Sequence, residues 1–110
     1  MSDIFEMRAA VAKALAHPTR LRIIDLLHEN QEACVCQLVE QVEEGQSTVS
    51  KHLAVLREAG IVDSRKDGLN VFYRLKTPCV HNFFSCLDKV ILHDIQAKHA
   101  LISSENNGRT

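Results

Sequence analysis

Apolar residues recur at the i, i+3, i+4 and i+7 spacing of amphipathic helices through most of this chain. The pattern predicts helices over residues 4–16, 18–28, 34–42, 46–60 and 77–102. The first is rich in alanine, the strongest helix former, and Pro18 suits the first turn of the second. Because the second helix is apolar on nearly every side, we expect it to lie in the core, ahead of a polar connector at residues 29–32.

The helices predicted over residues 34–42 and 46–60 are separated by a tight turn, in which Gly45 suits the left-handed position. The first helix places on one face Val35, Leu38, Val39 and Val42. The second turns Val49, Leu53 and Leu56 inward and exposes Ser47, Ser50, Lys51 and Ala54, with Gly60 as its C-cap. This is the helix-turn-helix layout, whose second helix enters the DNA major groove. An ordinary helical hairpin with a solvated outer face is the alternative.

A β-hairpin is predicted directly after this helix pair, because Asp67-Gly68 separates two β-prone runs. Four apolar or aromatic residues of the second run alternate onto one face, namely Leu69, Val71, Tyr73 and Leu75. The hairpin would carry Arg65 and Lys66 near its tip, where they could reach a phosphate backbone or the minor groove. A helix-turn-helix followed by such a wing predicts a winged helix, mainly α with a β-hairpin (α+β).

The last predicted helix carries more apolar surface than so small a domain can cover. Its stripe comprises Val80, Phe83, Phe84, Leu87, Val90, Ile91, Ile95 and Leu101. We therefore expect a homodimer that packs through its terminal helices. Residues 1–102 would form the winged helix-turn-helix domain, and the polar residues 103–110 a disordered tail.

Composition changes this picture little. The chain has 110 residues and a formal net charge of -1, from 13 basic and 14 acidic residues, which is not the strongly basic balance of many nucleic-acid binders. That balance leaves a protein-interaction module without DNA as a remote alternative. No apolar run is long enough for a membrane span and no signal peptide is evident, so we expect a cytoplasmic protein without a membrane partner, whose four cysteines are thiols.

Three stretches give the chain a family resemblance, together with the order of its elements. They are residues 15–23 (LAHPTRLRI), the second helix with residues 47–53 (STVSKHL) and 56–60 (LREAG), and the wing at residues 65–68 (RKDG). Over roughly residues 5–100 the chain resembles the ArsR/SmtB family of metal-responsive repressors. The resemblance implies a homodimer that leaves double-stranded operator DNA when an inducer binds. It also implies DNA contacts at Gln46, Ser47, Thr48, Ser50, Lys51, His52, Arg65 and Lys66.

The cysteines indicate which kind of inducer the protein binds. Cys34-Val35-Cys36 is similar to the Cys-Val-Cys of the arsenic- and cadmium-type repressors, and thiolates select soft ions. Arsenite and antimonite are the first candidates for the inducer, and cadmium(II) and lead(II) ions are the second. Since residues two apart on an ideal helix point roughly 200° apart, both sulfurs reach one ion only if the start of the helix distorts. The arsenic-type pattern has a third cysteine where this chain has Val39.

Cys79 and Cys86 form the second candidate metal site. They share a face of the last helix but stand about 10.5 Å apart along its axis, so they need help to bind one ion. A buried core thiol is the alternative for Cys86. The family's zinc site on this helix does not match, because its start here is Cys79-Val80-His81, and His93 and His99 lack the expected partners three residues on.

Two other functions compete with a metal-responsive repressor. A redox- or persulfide-responsive repressor would use the same fold and a cysteine pair from different elements. A thiol enzyme is far weaker, because the chain lacks a C-x-x-C motif and a glycine-rich phosphate loop. We therefore predict that the protein is not an enzyme.

Overall fold

The computed structural model describes the backbone of residues 3–108 and the side chains of residues 3–100. The chain forms two compact units, one up to Pro78 and one from Cys79 onward. The first unit contains helices α1 (Ile4–Leu15), α2 (Pro18–Asn30), α3 (Val35–Val42) and α4 (Gln46–Glu58), with strands β1 (Ala33–Cys34), β2 (Val62–Asp67) and β3 (Asn70–Leu75). This order confirms a mainly helical winged helix-turn-helix with a β-hairpin wing.

Polar caps begin the first two helices. The Oδ1 atom of Asp3 accepts a hydrogen bond from the backbone N–H of Glu6 at 2.8 Å, which caps α1. At the start of α2, His17 Nδ1 accepts from the N–H of Thr19 at 3.1 Å, and Pro18 occupies the first turn. The helix continues to Asn30, into the stretch predicted as a polar connector.

The core of the first unit lies among α2, α3 and α4. The inward faces predicted for these helices are confirmed, since Val49, Leu53 and Leu56 of α4 have no exposed surface. The other buried apolar side chains are Ala14, Ile23, Ile24, Leu27, Ala33, Cys34, Leu38, Val42, Ile61 and Val62. Burying a leucine side chain contributes about 1.5–3 kcal/mol to the stability of the fold. The buried cluster therefore fixes which side of α4 faces the core and which side faces solvent.

The turn between α3 and α4 differs from the prediction. Glu43 takes the left-handed conformation, at φ 57°, and its N–H donates to the carbonyl of Val39 at 3.1 Å. Gly45 is extended, at φ -65°, and serves as the N-cap of α4, so its assignment to the left-handed position was wrong. The C-cap of α4 is Ala59 rather than the predicted Gly60, because the helix ends at Glu58. Gly60 follows the cap in the left-handed conformation, at φ 81°, and the N–H of Ile61 donates to the carbonyl of Leu56 at 2.9 Å.

The wing belongs to a three-stranded antiparallel sheet in the order β1-β3-β2. Its turn consists of Gly68 and Leu69 rather than Asp67-Gly68, because Asp67 pairs with Asn70 across the ladder. Gly68 has φ 63°, as the first position of a type II′ turn requires. Leu69 is therefore fully exposed at the tip, and its predicted place on the strand face was wrong.

Strand β1 did not follow from the sequence pattern. It contains only Ala33 and Cys34, which pair with Tyr73 and Phe72 of β3. As a consequence α3 begins at Val35, not at Cys34. The segment before the helix-turn-helix is thus attached to the wing.

The second unit is helical. A short 3₁₀ helix, Pro78–Asn82, precedes α5 (Phe83–Gly108), where the sequence predicted an α-helix from Thr77-Pro78. The helix reaches Gly108, beyond the predicted end at residue 102. The division into a domain of residues 1–102 and a tail stays a prediction, and residues 109–110 lie outside the described part of the chain.

The apolar stripe of α5 is largely exposed in the single chain. Val90 is 68% exposed and Ile95 57%, and Phe83, Ile91 and Leu92 are also exposed. The predicted stripe position Leu101 lies beyond the described side chains. Within the described residues, no helix combines the length and hydropathy that crossing a membrane requires.

Candidate nucleic-acid interface and thiol site

The exposed side of α4 begins at its first residue. Of the positions predicted to contact DNA, those exposed on this helix are Gln46, Ser47, Thr48, Ser50 and Lys51. Gly45 supplies no side-chain cap to α4, so no capping side chain occupies the first N–H groups at the positive end of the helix dipole. Small hydroxyls, an amide and one lysine next to free N–H groups can donate to phosphates and base edges.

His52 is the exception among the predicted DNA-contacting residues of α4, because its ring turns inward. Its side chain is only 12% exposed, and its Nδ1 accepts a hydrogen bond from Arg20 Nε at 3.1 Å. The neutral ring therefore carries its proton on Nε2, which lies 4.0 Å from Glu44 Oε2. Burial, together with the neighbouring His17 and Arg20, lowers the pKa of His52, and Glu44 opposes that shift.

A polar network thus supports α4 from beneath, and sequence reasoning missed it. Thr19 is 1% exposed, and its Oγ1 donates to Glu44 Oε1 at 2.8 Å. The rings of His17 and His52 lie 4.4 Å apart between centroids. The network joins the start of α2, the turn before α4 and α4 itself. In the sequence, this network corresponds to part of residues 15–23, a stretch that indicates the family but not these contacts.

The two wing cations differ in their surroundings. Arg65 is ion-paired with Glu32 and, at 3.7 Å, with Asp67, and its guanidinium lies 4.9 Å from the ring centroid of Phe72. The hydrogen bond that Arg65 donates to Glu32 raises the pKa of Arg65, so the guanidinium keeps its charge. Lys66 is exposed on the same strand. DNA would have to compete with Glu32 for Arg65 but would meet Lys66 directly.

Cys34 and Cys36 are joined in a disulfide, with their Cα atoms 5.4 Å apart. Cys34 is the extended N-cap residue of α3 and accepts a hydrogen bond from the Gln37 N–H, whereas Cys36 lies inside the first turn. The expectation that the helix must distort before both sulfurs meet was wrong, because the helix begins between them. Cys34 is 7% exposed and Cys36 is exposed, so the pair opens to solvent on one side.

A cavity of about 200 Å³ adjoins this pair. Besides the two cysteines, it is lined by Val35, Gln46, Leu69, Asn70 and Val71. It therefore lies between the start of α3, the first residue of α4 and the tip of the wing. A group bound to the sulfurs would contact both elements that are predicted to read DNA.

Cys79 and Cys86 lie in the second unit, on the 3₁₀ helix and α5, and both are exposed free thiols. The alternative of a buried core thiol for Cys86 is therefore wrong for the single chain. Across the described residues, no three or more His, Cys, Asp or Glu side chains gather as a metal site. The roles of all four cysteines as metal ligands stay predictions.

The family model described as bacterial regulatory protein, arsR family, matches residues 17–64. An HTH-type transcriptional regulator of Methanocaldococcus jannaschii is 38% identical over 86 residues, which is 78% of this chain and 97% of that one. The arsenical resistance operon repressor of Escherichia coli is 49% identical over 63 residues, which is 57% of this chain and 54% of the repressor.

A solved structure from Mycobacterium bovis, described as a homodimeric winged helix-turn-helix DNA-binding domain, is 29% identical to this chain. Its TM-score is 0.73, and the match covers 88% of this chain and 93% of that domain. Fold and family are those of transcriptional regulators rather than enzymes. The helix-turn-helix, the wing and the matching relatives lead to one conclusion: this chain belongs to the arsR family of bacterial regulatory proteins.

Proposed function

We propose that this ArsR-family repressor binds operator DNA as a homodimer and releases it when Cys34 and Cys36 bind a thiophilic metalloid, with arsenite or antimonite as the inducer. The observation that carries the proposal is the position of the two sulfurs. They are close enough to bond, and they lie between the strand attached to the wing and the first helix of the helix-turn-helix. Two thiols that can reach each other can also reach one soft ion.

DNA binding is assigned to the exposed start of α4 and to the wing. The buried residues Val49 and Leu53 hold α4 against α2 and α3, which leaves Ser50 and Lys51 on its outer side. In a helix-turn-helix, residues at this end of the second helix contact base edges. Lys66 and Arg65 would add phosphate contacts from the wing.

The homodimer is supported by the apolar surface that the single chain leaves exposed. On α1, Phe5 is 71% exposed and Met7 56%, and on α5 Val90 is 68% exposed. Each of these two helices, taken by itself, exposes several large apolar side chains, and monomeric proteins rarely leave large apolar patches uncovered. The Mycobacterium bovis domain with the same fold is described as homodimeric, and a second copy of this chain is the economical cover for these side chains.

Coupling between the inducer and DNA follows from the neighbours of each sulfur. Cys34 pairs with Phe72 of β3, and Phe72 pairs with Arg65 of β2 and lies under its guanidinium. Cys36 lies in the first turn of α3, which packs against α4. Closing a ring through an ion would fix the backbone of residues 34–36 in one geometry and shift both the wing and α3.

The choice of a metalloid as inducer is supported by the thiol pair and by the similarity of this chain to an arsenic-related repressor. The Escherichia coli relative is named for arsenical resistance, and its match spans about half of that repressor. Redox or persulfide sensing is the second candidate function, because the same two sulfurs are within disulfide distance. Cadmium or lead, and a separate site at Cys79 and Cys86, are further alternatives that the experiment must separate.

The test is release of a fluorescent promoter duplex from the reduced protein, titrated with arsenite, cadmium, zinc and a persulfide donor. Cys34→Ser is a mild variant, since serine also caps helices well. Cys34→Ser and Cys36→Ser should bind DNA and no longer respond to arsenite, whereas the matched double variant Cys79→Ser/Cys86→Ser should respond normally.

The reverse pattern would move the site to the second pair. Release by the persulfide donor alone would replace metalloid sensing with redox sensing. If the protein bound no duplex under any condition, the repressor assignment would be wrong and the interaction module would remain.

A further inference from the structure

The turn of the wing presents an apolar side chain to solvent. Leu69 is fully exposed there, although glycine, asparagine, aspartate and serine are the usual residues of such turns. Single exposed apolar residues are common on protein surfaces, so exposure alone does not indicate a contact. The position of Leu69 does, because it follows Gly68 in the turn of the wing of a DNA-binding family.

The two cations of the wing lie on opposite faces of its ribbon. Arg65 pairs with Phe72 across the ladder, and its guanidinium lies over that ring. Lys66, which pairs with Val71, is exposed on the other face, because consecutive residues of a strand point to opposite sides. Asp67 shares the Arg65 face, where its carboxylate lies 3.7 Å from that guanidinium and is partly neutralised by it. A ribbon with a cation on each face can stand between two phosphate backbones.

The minor groove of duplex DNA places base edges between two such backbones, and it is about 6 Å wide and about 7.5 Å deep. The strands of the wing are about 4.8 Å apart, so the ladder with its outer atoms is too wide to enter this groove, whereas a side chain at the turn can. At about 3.4 Å per residue, Lys66 and Arg65 lie roughly 3 and 7 Å behind the last ladder pair. The cations would therefore meet phosphates when Leu69 reaches the base edges.

The surface around Leu69 is continuous with the exposed start of α4. Leu69 and Gln46, the first residue of α4, both border the cavity of about 200 Å³ described above. In a helix-turn-helix the second helix lies in the major groove. A turn this close to the first residue of that helix would meet the minor groove next to it.

We infer that Leu69 is a specificity-determining residue of the operator contact, whose side chain lies on the floor of the minor groove and selects A·T over G·C pairs. This inference rests on the proposed DNA binding. Guanine carries an amino group in this groove, at the place where adenine has only a carbon-bound hydrogen. An apolar side chain packed there contacts hydrocarbon on adenine but leaves a donor unsatisfied on guanine. Asn70 is also exposed, but its amide both donates and accepts, so it does not discriminate in this way.

The test changes single bases of the promoter duplex and keeps the protein unchanged. In place of adenine, 2,6-diaminopurine adds the minor-groove amino group and leaves the major-groove edge as it was. Fluorescence anisotropy with the reduced wild type should show at least about fivefold weaker binding when the analogue lies under the wing, the loss expected from one unsatisfied donor. A G·C pair at the same position should weaken binding likewise, and inosine in place of that guanine should restore it.

Variants of the wing assign this discrimination to a side chain. Leu69→Asn places a favoured turn residue at position 69, and its amide can pair with the added amino group. It should therefore bind the adenine and diaminopurine duplexes equally, and Leu69→Ala should also show a smaller preference because it removes most of the apolar contact. Lys66→Ala is the matched control: it should weaken binding to every duplex by the same factor, lower the salt dependence and keep the preference for adenine. Circular dichroism checks that each variant is folded.

The outcomes separate this inference from the proposed function. If the wild type bound every base-analogue duplex equally well, the inference would be overturned and the repressor assignment would stand. A folded Leu69→Asn or Leu69→Ala protein that kept the full preference would also overturn it, because another group would then read the amino group. The duplex scan needs only the wild type, so its result decides even where a variant fails to fold. Failure to bind any duplex would overturn the proposed DNA binding itself.

Discussion

Lys51 provides the sharpest test of DNA recognition by α4. It is exposed on the side of the helix opposite the buried Leu53. If each Lys51 of a homodimer neutralises one phosphate, Lys51→Ala should reduce the slope of log K against log salt by about 1.8, since each contact contributes about 0.9. Between ~50 and ~200 mM salt the wild type should then lose roughly twelvefold more affinity than the variant.

The assay is fluorescence anisotropy of a labelled operator duplex over that salt range. Lys13→Ala is the matched control, because it removes the same charge near Glu58 and Ala59 at the opposite end of α4. We expect the control to keep the wild-type slope. Equal slopes for wild type, Lys51→Ala and Lys13→Ala would refute the assignment of this surface to DNA. Adding Ser50→Ala to Lys51→Ala should abolish operator binding while the dimer persists in analytical ultracentrifugation.

Three further predictions concern side chains around this surface. Because the pKa of His52 is lowered from 6.5, unfolding takes up a proton as pH falls below that value. The free energy of unfolding of the wild type should therefore decrease as the pH falls from 6.5 to the lower pKa that His52 has in the folded protein. In urea titrations, His52→Gln should lack this part of the decrease. Thr19→Val leaves Glu44 without its hydrogen bond and should cost about 1–3 kcal/mol of unfolding free energy. Glu32→Gln should release Arg65 and raise DNA affinity in anisotropy titrations.

Each of these three predictions has a control variant and a result that would contradict it. Thr48→Val, at an exposed position, should stay within about 0.5 kcal/mol of wild type, and an equal loss at both threonines would contradict the buried network. Identical pH profiles for wild type and His52→Gln would show that His52 titrates normally. Glu29→Gln removes the same charge from exposed α2, so equal gains from Glu29→Gln and Glu32→Gln would exclude a specific Arg65 contact.

The sequence predicted those elements whose residues repeat with a clear period. Val49, Leu53 and Leu56 recur at helical spacing and are buried, so the orientation of α4 followed from the pattern alone. The hairpin followed from its glycine between β-prone runs, although the turn is shifted to Gly68 and Leu69. The residues predicted on the outer face of α4 are exposed as expected, namely Ser47, Ser50, Lys51 and Ala54.

The features that escaped prediction are made by distant parts of the chain. Strand β1 has two residues, too few for any period, and exists because β3 offers it a partner. The contact of Arg20 with His52 joins residues 32 apart, and that of Thr19 with Glu44 residues 25 apart. Local spacing assigned His52 to a helix but could not show that Arg20 would turn its ring inward.

Strand β1 changes how an inducer at the thiol pair would act. With both cysteines inside a helix, capture of an ion would have to break helical hydrogen bonds, and that cost would weaken binding. Here Cys34 lies outside α3, so the sulfurs meet without unwinding it. The same segment contains Glu32, which holds Arg65 of the wing, and Ala33, which pairs with β3.

Residues 32–36 thus combine a partner of a wing cation, a strand of the sheet and the start of the helix-turn-helix. In the proposed mechanism, a small change of backbone geometry in this segment is enough to move both DNA-reading elements. The change costs little because α3 keeps its hydrogen bonds. The binding energy of the inducer is then free to oppose DNA binding instead of unfolding a helix.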